Sequence, residues 1–244
     1  RIDRTVYTDP AILAAEYEHI FENGWVFLCL EGLVPAPGDY MATHMGRAPV
    51  FVIRRPDRTL GAYLNACAHR GALLTADRAG NMTTITCPYH GWCYDTHGRC
   101  ISIKAEAVGW PEGGLDRTLF NLKPVPRLES YRGFVFASLN PHVVPLAEHL
   151  GPITAFLDIY CAPAPHELEV VAGACFHTAD CNWKILHDNG PDPYHAATVH
   201  RNFAATMAHR DRRHGHVGLA KTETGRLAGT VESGSYDTGN GHTA

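Results

Sequence analysis

Hydrophobic and polar positions follow a helical period at the start of the chain and a shorter pattern after it. Residues 9–24 carry apolar side chains on one helical face, with Asp9 suited to the N-cap, Pro10 to the first turn and Gly24 to the end. From about residue 25 to 140, short runs rich in β-branched and aromatic residues alternate with clusters of proline, glycine and aspartate. This alternation predicts an antiparallel β region.

Longer helical patterns return in the second part of the chain. We predict helices at residues 145–160, 181–190 and 194–210, and one strand at 166–178. The chain is therefore expected to be α+β. Its predicted divisions are an N-terminal helix and lead-in strand at 1–40, an antiparallel β domain at 41–160, and the beginning of a second domain at 161–244.

Composition narrows the class of protein. Of the 244 residues, 45% are hydrophobic and 19% are charged, which is typical of a globular protein. A net charge of −4 gives no basic face for nucleic acid, and no apolar run approaches the roughly 20 residues that span a membrane. The first residues lack the apolar segment of a signal peptide, so we expect a cytoplasmic protein. Its eight cysteines then fit metal binding or free thiols better than disulfides.

Two cysteine–histidine pairs are the strongest chemical signal. Cys67 and His69 form a C-x-H pair, and Cys87 and His90 form a C-x-x-H pair, each followed by glycine. Structural zinc sites usually pair like with like, whereas here each loop carries one ligand of each kind. This arrangement favours a [2Fe–2S] cluster held by two cysteines and two histidines, with a zinc site as the alternative. We interpret the unequal spacing as a difference in loop curvature.

A second pair of histidines follows in the predicted helical part. His195 and His200 are five residues apart, which places them about 140° apart on a regular helix, so they share a face only if the helix is distorted. This spacing alone is weak evidence for a metal site. Asp192 lies before Pro193 and could simply cap the helix that follows.

The segments "CAHRG" and "CPYHGW" resemble the motif of Rieske proteins, and "NWK…DNGPDPYHAATVH" is similar to the catalytic motif of Rieske non-haem iron aromatic-ring-hydroxylating dioxygenases. The resemblance is to the N-terminal portion of their large (α) subunit, and it extends over essentially the whole chain. The benzoate, toluate and anthranilate dioxygenase branch looks closest.

The resemblance implies a fold and a set of site residues. The fold is an antiparallel β Rieske domain followed by the start of an α/β helix-grip (START-like) catalytic domain. Residues implied as cluster ligands are Cys67 and Cys87 on one iron, and His69 and His90 on the other; those implied at a mononuclear Fe(II) are the ligands His195 and His200, with Asn189 nearby and Asp192 as a bridge to a Rieske histidine of a neighbouring subunit.

The resemblance also implies an activity: dihydroxylation of an aromatic ring, such as that of benzoate or anthranilate, with O2 in aromatic catabolism. Electrons would come from NADH through a separate flavin reductase or a ferredoxin, to an α3 or α3β3 oligomer. A monooxygenase or demethylase on an aromatic acid and a pure electron carrier are the alternatives.

A mononuclear iron site of this kind also needs a carboxylate ligand. We expect it beyond residue 244, interpret Asp211 and Asp237 as surface residues, and expect the 244 residues alone to be inactive as an oxygenase.

Overall fold

The structure is a computed structural model, and it describes residues 2–110, 115–162, 169–171, 177–192, 195–214 and 237–243. Within these ranges, no helix combines the length and the apolar character needed to cross a membrane. The chain divides into two compact units, Arg1–Leu150 with Leu157–Phe176, and Gly151–Phe156 with His177–Ala244. The domain boundaries drawn from the sequence stay a prediction.

Twelve short strands and eight α-helices occur in the described ranges. The strands are β1 Val26–Leu30, β2 Asp39–Met45, β3 Ala48–Arg54, β4 Leu60–Leu64, β5 Ala79–Asn81, β6 Thr84–Thr86, β7 Cys93–Asp95, β8 Cys100–Ser102, β9 Arg127–Tyr131, β10 Phe134–Ser138, β11 Asp237–Gly239 and β12 His242–Thr243. The α-helices are α1 Thr5–Thr8, α2 Pro10–Glu16, α3 Glu106–Gly109, α4 Leu146–Leu150, α5 Thr154–Cys161, α6 Trp183–Asn189, α7 Ala196–Val199 and α8 Arg201–His214. A π-helical turn lies at Tyr17–Phe21, and 3-10 turns lie at Glu31–Leu33, Arg117–Phe120 and Gly151–Ile153.

Ten of these strands build the predicted antiparallel β region. They form a four-stranded sheet in the order β4-β3-β2-β5 and two three-stranded sheets, β1-β10-β9 and β6-β7-β8. Strand β3 is apolar along most of its length because both of its faces are buried. Phe51 and Ile53 pack into one hydrophobic cluster, and Val50 and Val52 pack into a second one.

The N-terminal helix is confirmed, with one difference. Asp9 accepts a hydrogen bond from the Ala11 N–H at 2.8 Å and Pro10 opens α2, as expected. The second half of the segment is a π-helical turn instead of an α-helical one. Gly24 ends it, where a Cβ atom would stand 2.5 Å from the backbone oxygen of Ile20. Glycine is therefore required there for steric reasons.

The later helices are confirmed in position, but their bounds differ: α6 is shorter than predicted, and the segment 194–210 is divided into α7 and α8, with α8 running on to His214. The segment 145–160 is interrupted by a 3-10 turn between α4 and α5. Asn182 caps α6 by accepting a hydrogen bond from the Lys184 N–H at 3.0 Å. Most of the strand predicted at 166–178 lies outside the described residues. The α+β class, with antiparallel sheets followed by helices, is confirmed.

Candidate metal centres

The two cysteine–histidine loops fold into the same turn. In the first loop, between β4 and β5, the Gly71 N–H donates to the Cys67 carbonyl at 2.9 Å, and Gly71 has φ +73°. In the second loop, between β6 and β7, the Gly91 N–H donates to the Cys87 carbonyl at 3.0 Å, and Gly91 has φ +70°. The expected difference in loop curvature is therefore wrong. The turns match, and the histidine occupies the third position in one and the fourth in the other.

Among the four predicted ligands, the two cysteines and the two histidines lie in different environments. Cys67 is 4% exposed and Cys87 is 2% exposed, and both belong to the same hydrophobic cluster. His69 is exposed and His90 is half-buried, and their ring centroids are 4.8 Å apart with the planes at 69°. The sulfur atoms thus lie inward and the imidazoles lie together nearer the surface.

This sorting fits a two-iron cluster. Across the described ranges, no three His, Cys, Asp or Glu side chains are gathered closely enough to hold one metal ion. A structural zinc ion would need all four donors about 2.0–2.3 Å from a single point. A [2Fe–2S] cluster of the mixed type instead takes two sulfur ligands on one iron and two imidazoles on the other. The residues present therefore fit a cluster of this type.

The surroundings of the sulfur pair are apolar, and this has an electrostatic effect. Burial raises the pKa of the Cys67 thiol; the Tyr94 hydroxyl, with its oxygen 3.1 Å from Cys67 Sγ, opposes this, and the neighbouring Cys87 adds to the rise. A bare thiolate is costly in this environment. Coordination of a metal ion would stabilise the thiolate form here.

Three side chains that shape the first turn were not identified from the sequence. The ring of Trp92 lies parallel to His69, with centroids 4.7 Å apart and 10° between the planes. Tyr94 contacts Cys67, and the buried Asn65 makes three hydrogen bonds to Leu74 and Thr75. Only the alternation of Trp92 and Tyr94 after the second loop could have indicated a shared face.

The second histidine pair is brought together by a break in the helix. His195 precedes α7, which ends at Val199, and His200 lies at the turn before α8. The two imidazole centroids are 5.2 Å apart, with the planes at 62°. The helix is thus interrupted between the two histidines, as their five-residue spacing required. Both rings are close enough to bind one metal ion.

The other predicted residues of this centre lie on the same segment. Asp192 Oδ2 is 3.3 Å from His195 Nδ1, and its side chain is 48% exposed. Asn189 is the last residue of α6 and is exposed. Asp237 is an exposed residue whose carboxylate accepts from the Gly239 N–H at 2.8 Å within its own hairpin, so its interpretation as a surface residue is confirmed. Asp211 lies on α8, and its side chain is outside the described residues.

Comparison with known proteins agrees with this geometry. Residues 24–126 match the Rieske [2Fe-2S] domain family. Over 243 residues the chain is 39% identical to the toluate 1,2-dioxygenase subunit alpha of Pseudomonas putida, covering 99% of this chain and 53% of that protein. The chain thus contains a Rieske [2Fe-2S] domain and is similar, over nearly its whole length, to the N-terminal part of Rieske dioxygenase large subunits. The anthranilate 1,2-dioxygenase large subunit of Acinetobacter baylyi is 37% identical, with 100% of this chain and 52% of that protein covered.

Solved structures of Rieske oxygenases share the fold. Naphthalene 1,2-dioxygenase from Rhodococcus sp. superimposes with a TM-score of 0.78 at 34% identity, covering 82% of this chain and 46% of that one. A quaternary ammonium Rieske monooxygenase in complex with L-carnitine has a TM-score of 0.74 at 26% identity, covering 83% and 56%. The chain spans about half the length of the curated relatives it matches. The predicted Rieske [2Fe–2S] domain and the resemblance to the N-terminal part of Rieske oxygenase large subunits are confirmed.

Proposed function

We propose that this chain is the N-terminal half of the large subunit of a terminal oxygenase that dihydroxylates an aromatic carboxylate. The observation that carries the proposal is the pair of matching turns, which bury two thiols and gather two imidazoles. In the proposal Cys67, Cys87, His69 and His90 hold the cluster. A bound cluster of this type transfers one electron at a time, and a mononuclear iron provides open positions for O2.

The histidine edge of the first site is the proposed route for electrons. The cysteine side is enclosed by the hydrophobic cluster, which excludes water from the sulfur atoms. His69 is exposed, so a redox partner can approach its ring directly. We infer that electrons from NADH, passed on by a flavin reductase or a ferredoxin, enter and leave the cluster on this side.

The second histidine pair is the proposed iron site, with Asp192 as its link to a neighbouring subunit. A carboxylate beside the ring nitrogen of a metal-binding histidine fixes the orientation and tautomer of that ring. Asp192 stands in this relation to His195, and its exposure leaves it accessible to a second chain. This supports a closed ring of subunits, α3 or α3β3, because heterologous contacts of this kind close into rings.

The relatives support an aromatic acid as the substrate. Toluate, 2-halobenzoate and anthranilate dioxygenases are 37–40% identical to this chain, whereas benzene dioxygenase subunits are 35–36% identical. We therefore propose benzoate-like or anthranilate-like substrates, oxidised by O2 in the cytoplasm, where NADH is available. Monooxygenation is the second candidate, favoured by the fold shared with the quaternary ammonium monooxygenase.

Spectroscopy of the full-length subunit tests the cluster ligands. Reduced wild-type protein should give a Rieske-type EPR signal, and Cys67→Ser should abolish it. Cys93→Ser is the matched control, because Cys93 is half-buried just beyond the second turn but is not a proposed ligand. Colourless protein with stoichiometric zinc would contradict the assignment.

Turnover with benzoate, reductase and NADH tests the iron site and the reaction. His195→Ala and His200→Ala should lose the mononuclear iron and the product while keeping the Rieske signal, and Asp192→Ala should slow turnover while keeping both metals. His209→Ala is the control, since His209 is an exposed histidine of α8. A cis-dihydrodiol product supports dioxygenation. A monohydroxylated or demethylated product would favour the second candidate.

A further inference from the structure

A cavity lies beside the segment that follows the first ligand turn. Its volume is about 300 Å³. One wall is formed by the end of β2 and the start of β3, where His44 pairs with Pro49. The opposite wall is formed by residues of the segment 73–78, which continues from the turn that carries Cys67 and His69. None of the proposed cluster ligands is among the described residues that line this cavity, so it is separate from the cluster site.

The polar side chains of this cavity are suited to an anion. Among the described lining residues two are basic, His44 and Arg78, and none is acidic. Asn65 adds a buried donor, because it is 4% exposed and its Nδ2 carries two hydrogens, one of which goes to the Thr75 carbonyl at 2.8 Å. Within the described part of the chain, the second hydrogen has no acceptor. A carboxylate in the cavity would accept from this group and from the basic side chains.

The rest of the wall is apolar. Ala42, Pro49 and Ala76 line it together with Leu73, which is 48% exposed although its neighbour Leu74 is buried. A ligand with an apolar body would cover Leu73, and removal of this surface from water favours binding. The volume is at the lower end of the range for small-molecule sites, so it suits a single ring better than a nucleotide or a lipid.

We propose that this cavity is a second, non-catalytic binding site for a small aromatic carboxylate. The inference rests on the cavity alone and does not depend on the proposed cluster ligands or on the proposed reaction. Asn65 also accepts from the Leu74 and Thr75 amides. A ligand that contacts Asn65 and Leu73 therefore holds the segment 73–78 against β2, and its binding should oppose local opening of that segment.

Hydrogen exchange of the full-length protein with benzoate, without reductase, tests the site. Exchange of the peptide containing Leu74 and Thr75 should slow as benzoate is added. At ten times the concentration that halves the rate, it should be about tenfold slower. His44→Ala and Arg78→Gln should each remove most of this protection. Arg58→Gln is the matched control, because Arg58 is an exposed arginine that lines a different cavity, and it should keep the protection.

Two further probes separate the charge from the ring in the wild-type protein, so they also cover a variant that fails to fold. Benzyl alcohol lacks the charge and should give no protection, and acetate lacks the ring and should give far less than benzoate. No protection by benzoate, equal protection by either probe, or full protection in both variants would overturn the inference. Absence of a Rieske signal or of turnover would instead contradict the proposed function, so the two failures are distinguishable.

Discussion

Asn65 holds the segment that follows the first ligand turn, and Asn65→Ala should release it. The side chain is 4% exposed. Its Oδ1 accepts from the Leu74 and Thr75 amides at 3.0 and 3.1 Å, and its Nδ2 donates to the Thr75 carbonyl at 2.8 Å. Three hydrogen bonds, each contributing about 1 kcal/mol net, give a loss of local stability of about 3 kcal/mol.

Amide hydrogen exchange measures this loss where it occurs. Leu74 and Thr75 donate the two bonded amides, so the peptide containing them reports directly on opening of the segment. A loss of about 3 kcal/mol corresponds to about 100-fold faster exchange in that peptide. Because the segment continues from the turn that carries His69, we also expect faster loss of the cluster to a chelator.

Asn81→Ala is the matched control for this prediction. Asn81 is exposed, and its Nδ2 donates to the Pro37 carbonyl at 3.0 Å and to Asp39 at 2.8 Å. Water can replace both bonds, so this variant should change exchange only slightly. Equal exchange at Leu74 and Thr75 in the Asn65 and Asn81 variants would refute the reasoning, because the buried side chain would then add nothing to the stability of the turn.

Two further predictions concern glycines and a surface ion pair. Gly98→Ala should lower the melting temperature far more than Gly71→Ala: both have positive φ, but a Cβ at Gly98 would lie 2.5 Å from the Tyr63 ring, whereas nothing lies within 4 Å at Gly71. Glu22 accepts hydrogen bonds from Arg47, which lower its pKa, so its contribution to stability is present at neutral pH and is lost in acid. Urea unfolding of Arg47→Ala should therefore show a deficit at pH 7 that shrinks below the ordinary glutamate pKa of 4.5; a deficit independent of pH would contradict this.

Local signals in the sequence were sufficient to propose the ligands and to predict the elements near them. The helix at 9–24 has its cap, first proline and final glycine within one segment, and each loop carries its cysteine, histidine and glycine within five residues. The π-helical turn at Tyr17–Phe21 was not predictable from apolar spacing, and it leaves Ile20, which regular helical spacing places on the apolar face, 46% exposed.

The features that the sequence did not indicate depend on contacts between residues that are far apart in the chain. The Tyr94 hydroxyl reaches Cys67 across 27 positions, and the Asn65 side chain reaches Thr75 across 10. Such contacts depend on how β4, β7 and their loops come together, which no residue pattern within one segment specifies. The equality of the two turns is a similar case, because the ligand spacing differs while the hydrogen bond that closes each turn does not.

The unequal cysteine–histidine spacing of the two loops affects the directions in which their imidazoles point. Because the turns are the same, moving the histidine by one position sends the two imidazoles in different directions from equivalent backbones. The rings then meet at 69° instead of stacking. One of them, His69, lies against Trp92 of the second loop and remains exposed. The asymmetry thus provides one imidazole for the proposed electron route, while the aromatic residues after the second turn contact the proposed ligands of the first.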